Sequence, residues 1–403
     1  MSPLRMVPFA ARNLVRHPRR TLVSGLAVAA GITAVLCAAG ISRAFLDYML
    51  ERVVAGKVGA LQVHRKGYVA AAQSASLDRR LGLELGERLL RVPGVKAAAP
   101  RLVFSGLVSS ARGQTAFVAR GIDLALEPAV CPRLWADLTS GSLSGAGSAV
   151  LGAGLVKGLR VRSGESVMLT ATSPGGRVNA VAAKVTGTQG EVVALENRNV
   201  LTVPLALAQE LTGLEGEVTE WALAVSAEAE VSVVAAAVRA ELGEEYEVHT
   251  WAELVPYLSD GLVYMRWFIG FLGALLALVV AAGITNALMM GVYEREREIG
   301  TQLAVGMRAR DVRMLFLAEA ALLGLGAAVL GVAVGSGVVT VLGVVGMPAS
   351  SMGAVGADLL HPAVDGTVAL SAALGAVLTA LVAGVLPAWR ASRLKPVDAL
   401  AGR

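Results

Sequence analysis

Residues 293–306 read YEREREIGTQLAVG, and the 27 residues from Trp267 to Tyr293 that lead into them carry no charged side chain. An uninterrupted charge run, Glu294 to Glu298, directly after a segment able to cross roughly 30 Å of hydrocarbon as a helix marks the end of a membrane span. The composition agrees. Hydrophobic residues make up 55% of the 403 and aromatic ones only 4%, a surplus of small aliphatic side chains foreign to a soluble protein. The charges are unevenly placed, with 43 of the 67 Lys, Arg, Asp and Glu residues between Phe45 and Gly261. A membrane-embedded chain with one large polar insert follows.

Three further runs are long and apolar enough to span: Thr21–Ser42, Met314 to about Leu342, and Gly366–Trp389. The first is uncharged over 22 residues, longer than the apolar core of a cleaved leader, and reads as an anchor. Lys and Arg in short loops set orientation. Arg5, Arg12, Arg16, Arg19 and Arg20 precede the first span, and Arg295, Arg297, Arg308, Arg310 and Arg313 lie between the second and third. Arg390, Arg393, Lys395 and Arg403 follow the fourth, whereas residues 343–365 have none.

The expected order is a cytoplasmic interfacial helix at 1–20, a first span at 21–44, an outward domain at 45–262 and a second span at 263–293. A cytoplasmic loop or helix at 294–311, a third span at 312–342, an outward loop at 343–365, a fourth span at 366–389 and a cytoplasmic tail at 390–403 complete it. Both termini would face the cytoplasm. The net charge of +5 then answers to topology and lipid headgroups, which removes the argument for a nucleic-acid partner.

Within the outward domain, VGALQVHRKGY (58–68) alternates as a strand, a helix is expected from about Ser76 to Val92, and a strand from Val95 to Ser109. The same order returns as strand Trp221–Val225, helix Ala227–Leu242 and strand Tyr246–Thr250. These two units predict one α+β subdomain built from both ends of the insert. Between them, 116–217 is glycine-rich. AVLGAGLVKGL (149–159), ESVMLTAT (165–172), NAVAAKVTGTQG (179–190) and NVLTVPLALAQEL (199–211) read as strands of an inserted β-rich subdomain.

Catalytic patterns are missing. GAGLVKGLR (152–160) lacks the glycine spacing and the Lys-Ser/Thr pair of a phosphate loop, and HExxH, GxSxG and CxxC do not occur. No enzyme activity or cofactor is therefore expected of this chain; if ATP and magnesium are used, another chain binds them. Cys37 and Cys131 fall in different segments and are not expected to pair, and the four histidines lack metal-ligand spacing.

The charge run remains. On a helix, Glu294 with Arg297 and Arg295 with Glu298 form i, i+3 pairs worth only about 0.2–0.5 kcal/mol each, too little to explain the run as a stability device. Ile299 and Leu303 share one face, bounded by Gly300 and Gly306, so an apolar ridge flanked by charges is expected to dock into another protein's cleft. Asp311 is placed to cap the third span, and Glu319 lies about 12 Å deeper at the helical rise of about 1.5 Å per residue. A carboxylate at that depth needs a partner on another helix or must reach back to the arginines. Asn286, between Gly283 and Ala287 in the second span, is expected to bond across a close helix contact.

NALMMGVYEREREIGTQLAVGMRARDVRMLFLAEA (286–320) resembles the permease core of the FtsX/MacB/Lol class of ABC transporters, and LPAWRASRLKPVDAL (386–400) resembles the tail after their fourth span. The resemblance implies a MacB-like (type VII) ABC permease, membrane α-helical with four transmembrane helices and a large α+β extracytoplasmic domain, in a bacterial inner membrane. It implies a dimer with an identical or homologous second permease on a cytoplasmic ABC ATPase dimer. Glu298, Ile299, Gly300, Leu303 and Gly306 would belong to the coupling helix on that ATPase.

GALQVHRKGY (59–68), VPGVKAAAPRLVFSGLV (92–108), ARGID (119–123) and AVLGAGLVKGLRVRSGESVML (149–169) look like the LolC/LolE lipoprotein-releasing permeases. That likeness implies extraction of lipoprotein cargo from membrane lipid and its delivery to a periplasmic carrier. A MacB-like efflux component with a periplasmic adaptor and an FtsX-like regulator of a cell-wall hydrolase are the alternatives.

Overall fold

The structure is a computed structural model, described for residues 3–16, 18–71, 77–134, 138–190, 199–226, 229–352 and 358–395. His17, the start of the expected 76–92 helix, the first residues of the expected 227–242 helix and the end of the 390–403 tail lie outside the described residues. The chain divides into two compact units: 1–45 with 262–347 and 359–403, and 46–261 with 348–358.

The second unit is built on one ten-stranded mixed sheet. Its strands run in the order Tyr246–Thr250, Leu61–Arg65, Glu220–Val225, Val95–Ser110, Gly113–Ile122, Val200–Pro204, Ser148–Gly152, Val178–Gln189 and Leu138–Gly141, while Ser166–Thr172 bridges Val95–Ser110 and Val178–Gln189. Residues 116–217 thus have no sheet of their own. The reason is the length of Val95–Ser110, whose 16 residues are about three times a usual strand of 5–6. Its first half pairs with Glu220–Val225 and its second with Gly113–Ile122, so it carries partners from both parts of the insert. What does divide is the core. Leu61, Leu89, Trp221, Val234 and Val238 fill one cluster, and Phe104, Phe117, Leu155, Leu169 and Leu211 fill another.

Three expectations fail locally. Two runs read as strands end in helices, Ala153–Leu159 and Leu205–Thr212. In each, a short apolar run satisfies either period, and burial of Leu155 and Leu159, or of Leu207, Ala208 and Leu211, against the sheet selects the helix. The expected 76–92 helix is reduced to Leu85–Leu90, because Leu81–Gly82 pairs with Glu217–Val218 instead.

Under this sheet lies a buried ionic cluster. Arg101, 0% exposed, donates from Nε to both Glu127 oxygens at 3.0 and 3.1 Å and from Nη1 to Glu220 Oε1 at 3.4 Å. Glu220 Oε2 lies 3.6 Å from Nε2 of His64, which stacks on Tyr68 at 4.7 Å between ring centres. Burial opposes charge on Arg101, but Glu127, Cys131 and Glu220 outweigh it and raise its pKa above the ordinary guanidinium value. Burial likewise pushes the Glu220 carboxyl up, yet the His64 hydrogen bond and the Arg101 charge prevail and hold it at about 2, below its ordinary 4.5.

A depressed folded-state pKa stabilises only while the group is ionised, so this contribution is complete above about pH 4.5 and is lost as the pH falls toward 2. The protection of amides in Leu61–Arg65 and Glu220–Val225, measured against the free-chain exchange rate at the same pH, is accordingly expected to fall across that window, with a shallower pH dependence in Glu220→Gln.

Among the described residues, four helices are long and apolar enough to cross a membrane: Pro18–Val53, Pro256–Glu294, Ala309–Val345 and Gly366–Ala391, hereafter spans 1 to 4. They pack through small residues. A Cβ added at Gly331 would lie 2.8 Å from Ala29 O, and one at Gly384 would lie 2.7 Å from the Ala320 Cβ, so spans 1 and 3, and 3 and 4, touch backbone to backbone. Thr33 Oγ1 donates to Gly331 O at 3.2 Å, and Thr285 Oγ1 of span 2 to Ala383 O of span 4 at 3.0 Å. Asp365 caps span 4 by accepting from Thr367 N at 2.8 Å. Span 3 differs from expectation: its N-cap is Arg308, and Asp311 sits within the first turn, where its charge complements the helix dipole.

A candidate coupling site at the base of the span bundle

The charged stretch is not one continuous helix with span 2. Arg295 leaves helical geometry at φ −114° and ψ 15°, and a separate helix runs from Glu296 to Ala304. Ile299 N donates to Arg295 O at 2.9 Å, so the new helix starts directly from the break. It ends at Val305 and Gly306, where a positive φ of 101° suits glycine.

The sequence places the docking ridge on the wrong side of this helix. Ile299 is 2% exposed and packs with Val292, Val312, Phe316 and Ala388, with Leu303 half-buried against the same cluster. Gly300 is buried beside it. These residues seat the helix on its own bundle, as the apolar face of a short amphipathic helix does wherever a core lies beneath it. The exposed face carries Glu294, Arg297, Glu298, Thr301, Gln302 and Gly306. Val305, missed in the sequence, is 85% exposed at its tip, and its signal was its place between the last helical residue and the terminating glycine.

Behind the helix, the deeper carboxylate of span 3 is held by two elements at once. Glu319, 4% exposed, accepts from Asn13 Nδ2 at 2.5 Å and from Arg295 Nη1 at 3.2 Å. Asn13 belongs to the N-terminal helix Pro3–Arg16. Arg295 also reaches Glu298 Oε2 at 3.4 Å. One polar chain, Glu298 to Arg295 to Glu319 to Asn13, therefore ties the exposed helix, the break, span 3 and the N-terminal helix together. Arg295 and Asn13 carry this chain, and sequence reading singled out neither as a site residue. The Glu298 links are exposed and weak, whereas the Arg295–Glu319 contact is buried and strong in its dependence on both partners.

Asn286 is not part of this network. It lies on the exposed face of span 2, and the bond across spans 2 and 4 is made by its neighbour Thr285. A Cβ at Gly283 would meet nothing within 4 Å, so the expected close contact at Gly283 and Asn286 does not form within this chain. No group of three or more His, Cys, Asp or Glu residues arranged for a metal occurs among the described residues.

Residues 21–242, more than half of the chain, match the family described as MacB-like periplasmic core domain. The chain belongs to that family. Residues 270–396, which contain Glu296–Ala304, Arg295 and Glu319 but not Asn13, match the FtsX-like permease C-terminal family. The fold class is thus that of a MacB-like, FtsX-like ABC permease: a multi-pass membrane protein with a large mixed α and β domain outside the spans.

Among individual relatives, the chain is 34% identical over 158 residues to the macrolide export ATP-binding/permease protein MacB of Hyphomonas neptunium, covering 39% of this chain and 22% of that one. It is 36% identical over 161 residues to the pyoverdine export ATP-binding/permease protein PvdT of Pseudomonas syringae, covering 39% and 22%. The matched part spans less than a quarter of the length of these two relatives. The periplasmic region of MacB from Actinobacillus actinomycetemcomitans superposes at a TM-score of 0.37 with 10% identity, over 50% of this chain and 94% of that one, a likeness too loose to argue from.

Proposed function

We propose that the chain is the permease part of an ABC transporter that turns ATP hydrolysis in a cytoplasmic ATPase dimer into motion of the outward domain. The supporting observation is the construction of Glu296–Ala304: its apolar face seats on the bundle, its charged face is exposed, and Arg295 connects it to a buried carboxylate in span 3. A helix so tied moves its spans when it is pushed, and the exposed charges fix the register of whatever pushes it. ATP and magnesium bind in the ATPase, which lies outside these 403 residues by the motifs they lack. Both termini lie in the cytoplasm, and two permease copies, identical or homologous, face each other in the inner membrane.

For cargo, the outward motifs at 59–68, 92–108, 119–123 and 149–169 support extraction of acylated lipoproteins for a periplasmic carrier. A second reading, export of a small molecule through a periplasmic adaptor, is favoured by the macrolide and pyoverdine export for which the MacB and PvdT relatives are named. Purification of the intact complex from native membrane separates them. Co-purifying acylated protein supports the first reading; an adaptor without acylated protein replaces it with the second.

A further inference from the structure

Spans 2 and 4 meet at the Thr285–Ala383 hydrogen bond, and between their other halves, over span 1, lies a cleft of about 430 Å³. Its wall on span 2 runs from Arg266 to Val280, about 21 Å at about 1.5 Å rise per residue. That exceeds the roughly 15 Å depth of one hydrocarbon leaflet, so the cleft reaches from the headgroup boundary through a whole leaflet.

Three of its four glycines differ from those that pack the bundle, the fourth, Gly31, lying where a Cβ would meet Val280 of span 2 at 3.7 Å. A Cβ added at Gly270, Gly273 or Gly375 would meet nothing within 4 Å, whereas one at Gly331 or Gly384 would collide. Each glycine costs a helix about 1 kcal/mol relative to alanine. At Gly331 the close helix contact repays this; at the three cleft glycines nothing in the chain does. Spread over about 21 Å, the cavity averages about 20 Å² in section, too narrow for a helix roughly 10 Å across yet wide enough for one methylene chain.

Arg266 supplies the charge. It is the one cation lining the cleft, it is exposed, and no carboxylate pairs with it among the described residues. A guanidinium at a bilayer boundary binds phosphate through paired N–H donors.

We propose that this cleft holds an acyl chain of an anionic phospholipid whose phosphate rests on Arg266. A diacylglyceryl group on a lipoprotein cysteine carries no phosphate and would leave Arg266 uncompensated, so the occupant is bilayer lipid and the proposal stands apart from the cargo reading above.

The full chain, delipidated in detergent and incubated with equal phosphatidylglycerol and phosphatidylcholine, is to be read by native mass spectrometry. Retention of one phosphatidylglycerol with about a fivefold preference is expected, the size of one basic side chain's attraction to anionic lipid. Arg266→Gln should bring the two lipids to equal retention at an unchanged melting temperature. Gly273→Phe should remove retention of both. Preference unchanged in Arg266→Gln, or full retention in a folded Gly273→Phe, overturns the proposal. So does displacement of the phospholipid by a synthetic diacylated peptide bound equally by wild type and Arg266→Gln, or a disulfide dimer formed through Gly273→Cys, which would put a second copy in the cleft.

Discussion

Arg101→Leu is expected to destabilise the outward unit by about 3–5 kcal/mol, the largest effect of any single substitution outside the spans. The side chain is fully buried and answers two carboxylates, Glu127 and Glu220, also buried. Removing the cation leaves Glu127 without its partner and Glu220 with His64 alone of the two named above. Breaking a buried ion pair from one side costs about 3–5 kcal/mol, a large part of a domain's whole stability of about 5–15 kcal/mol. Pairing the change with Glu127→Leu should recover much of the loss, because the cost lies in the orphaned charge. Limited proteolysis of the full chain measures both variants, and a protected Arg101→Leu domain would show that the cluster contributes little.

The second large effect is expected at Glu319. In Glu319→Ala, Asn13 and Arg295 lose their shared acceptor at the base of the bundle. A loss near the low end of about 3–5 kcal/mol is expected, because Arg295 retains Glu298 as a weaker partner. Glu319→Gln keeps an oxygen for Asn13 but no charge for Arg295, so its melting temperature in detergent should fall between those of wild type and alanine. If the polar chain also transmits force, both variants should lower transport per ATP hydrolysed more than they lower ATPase association. Equal melting temperatures for all three proteins would remove Glu319 from any structural role.

Much of this organisation is legible in the sequence, and its failures have physical causes. The spans are readable because hydrocarbon tolerates few charges, so the uncharged run ending at Tyr293 and the break at Glu294 stand out by composition alone. That Glu319 needs a partner is readable for the same reason. Which partner is not, because Asn13 lies 306 residues away and Arg295 faces the carboxylate only after the helix breaks there. Periodicity shows that Ile299 and Leu303 share a face but not whether that face looks toward a partner or toward the helix's own bundle, since both are apolar. In the outward unit, the continuous sheet depends on one long strand paired at its two ends to different segments, a long-range arrangement that local patterns do not encode.

Coupling through Glu296–Ala304 is tested most directly by Glu298→Arg. Glu298 is exposed, and its contacts with Arg295 and Arg16 at 3.4 and 3.9 Å are surface pairs worth about 0–1 kcal/mol, so the variant should insert and melt as the wild type does. Reversing its charge at a docking face should abolish co-purification of the ATPase and the ATP turnover that accompanies it. Unchanged co-purification and turnover in a normally inserted Glu298→Arg would contradict the coupling role.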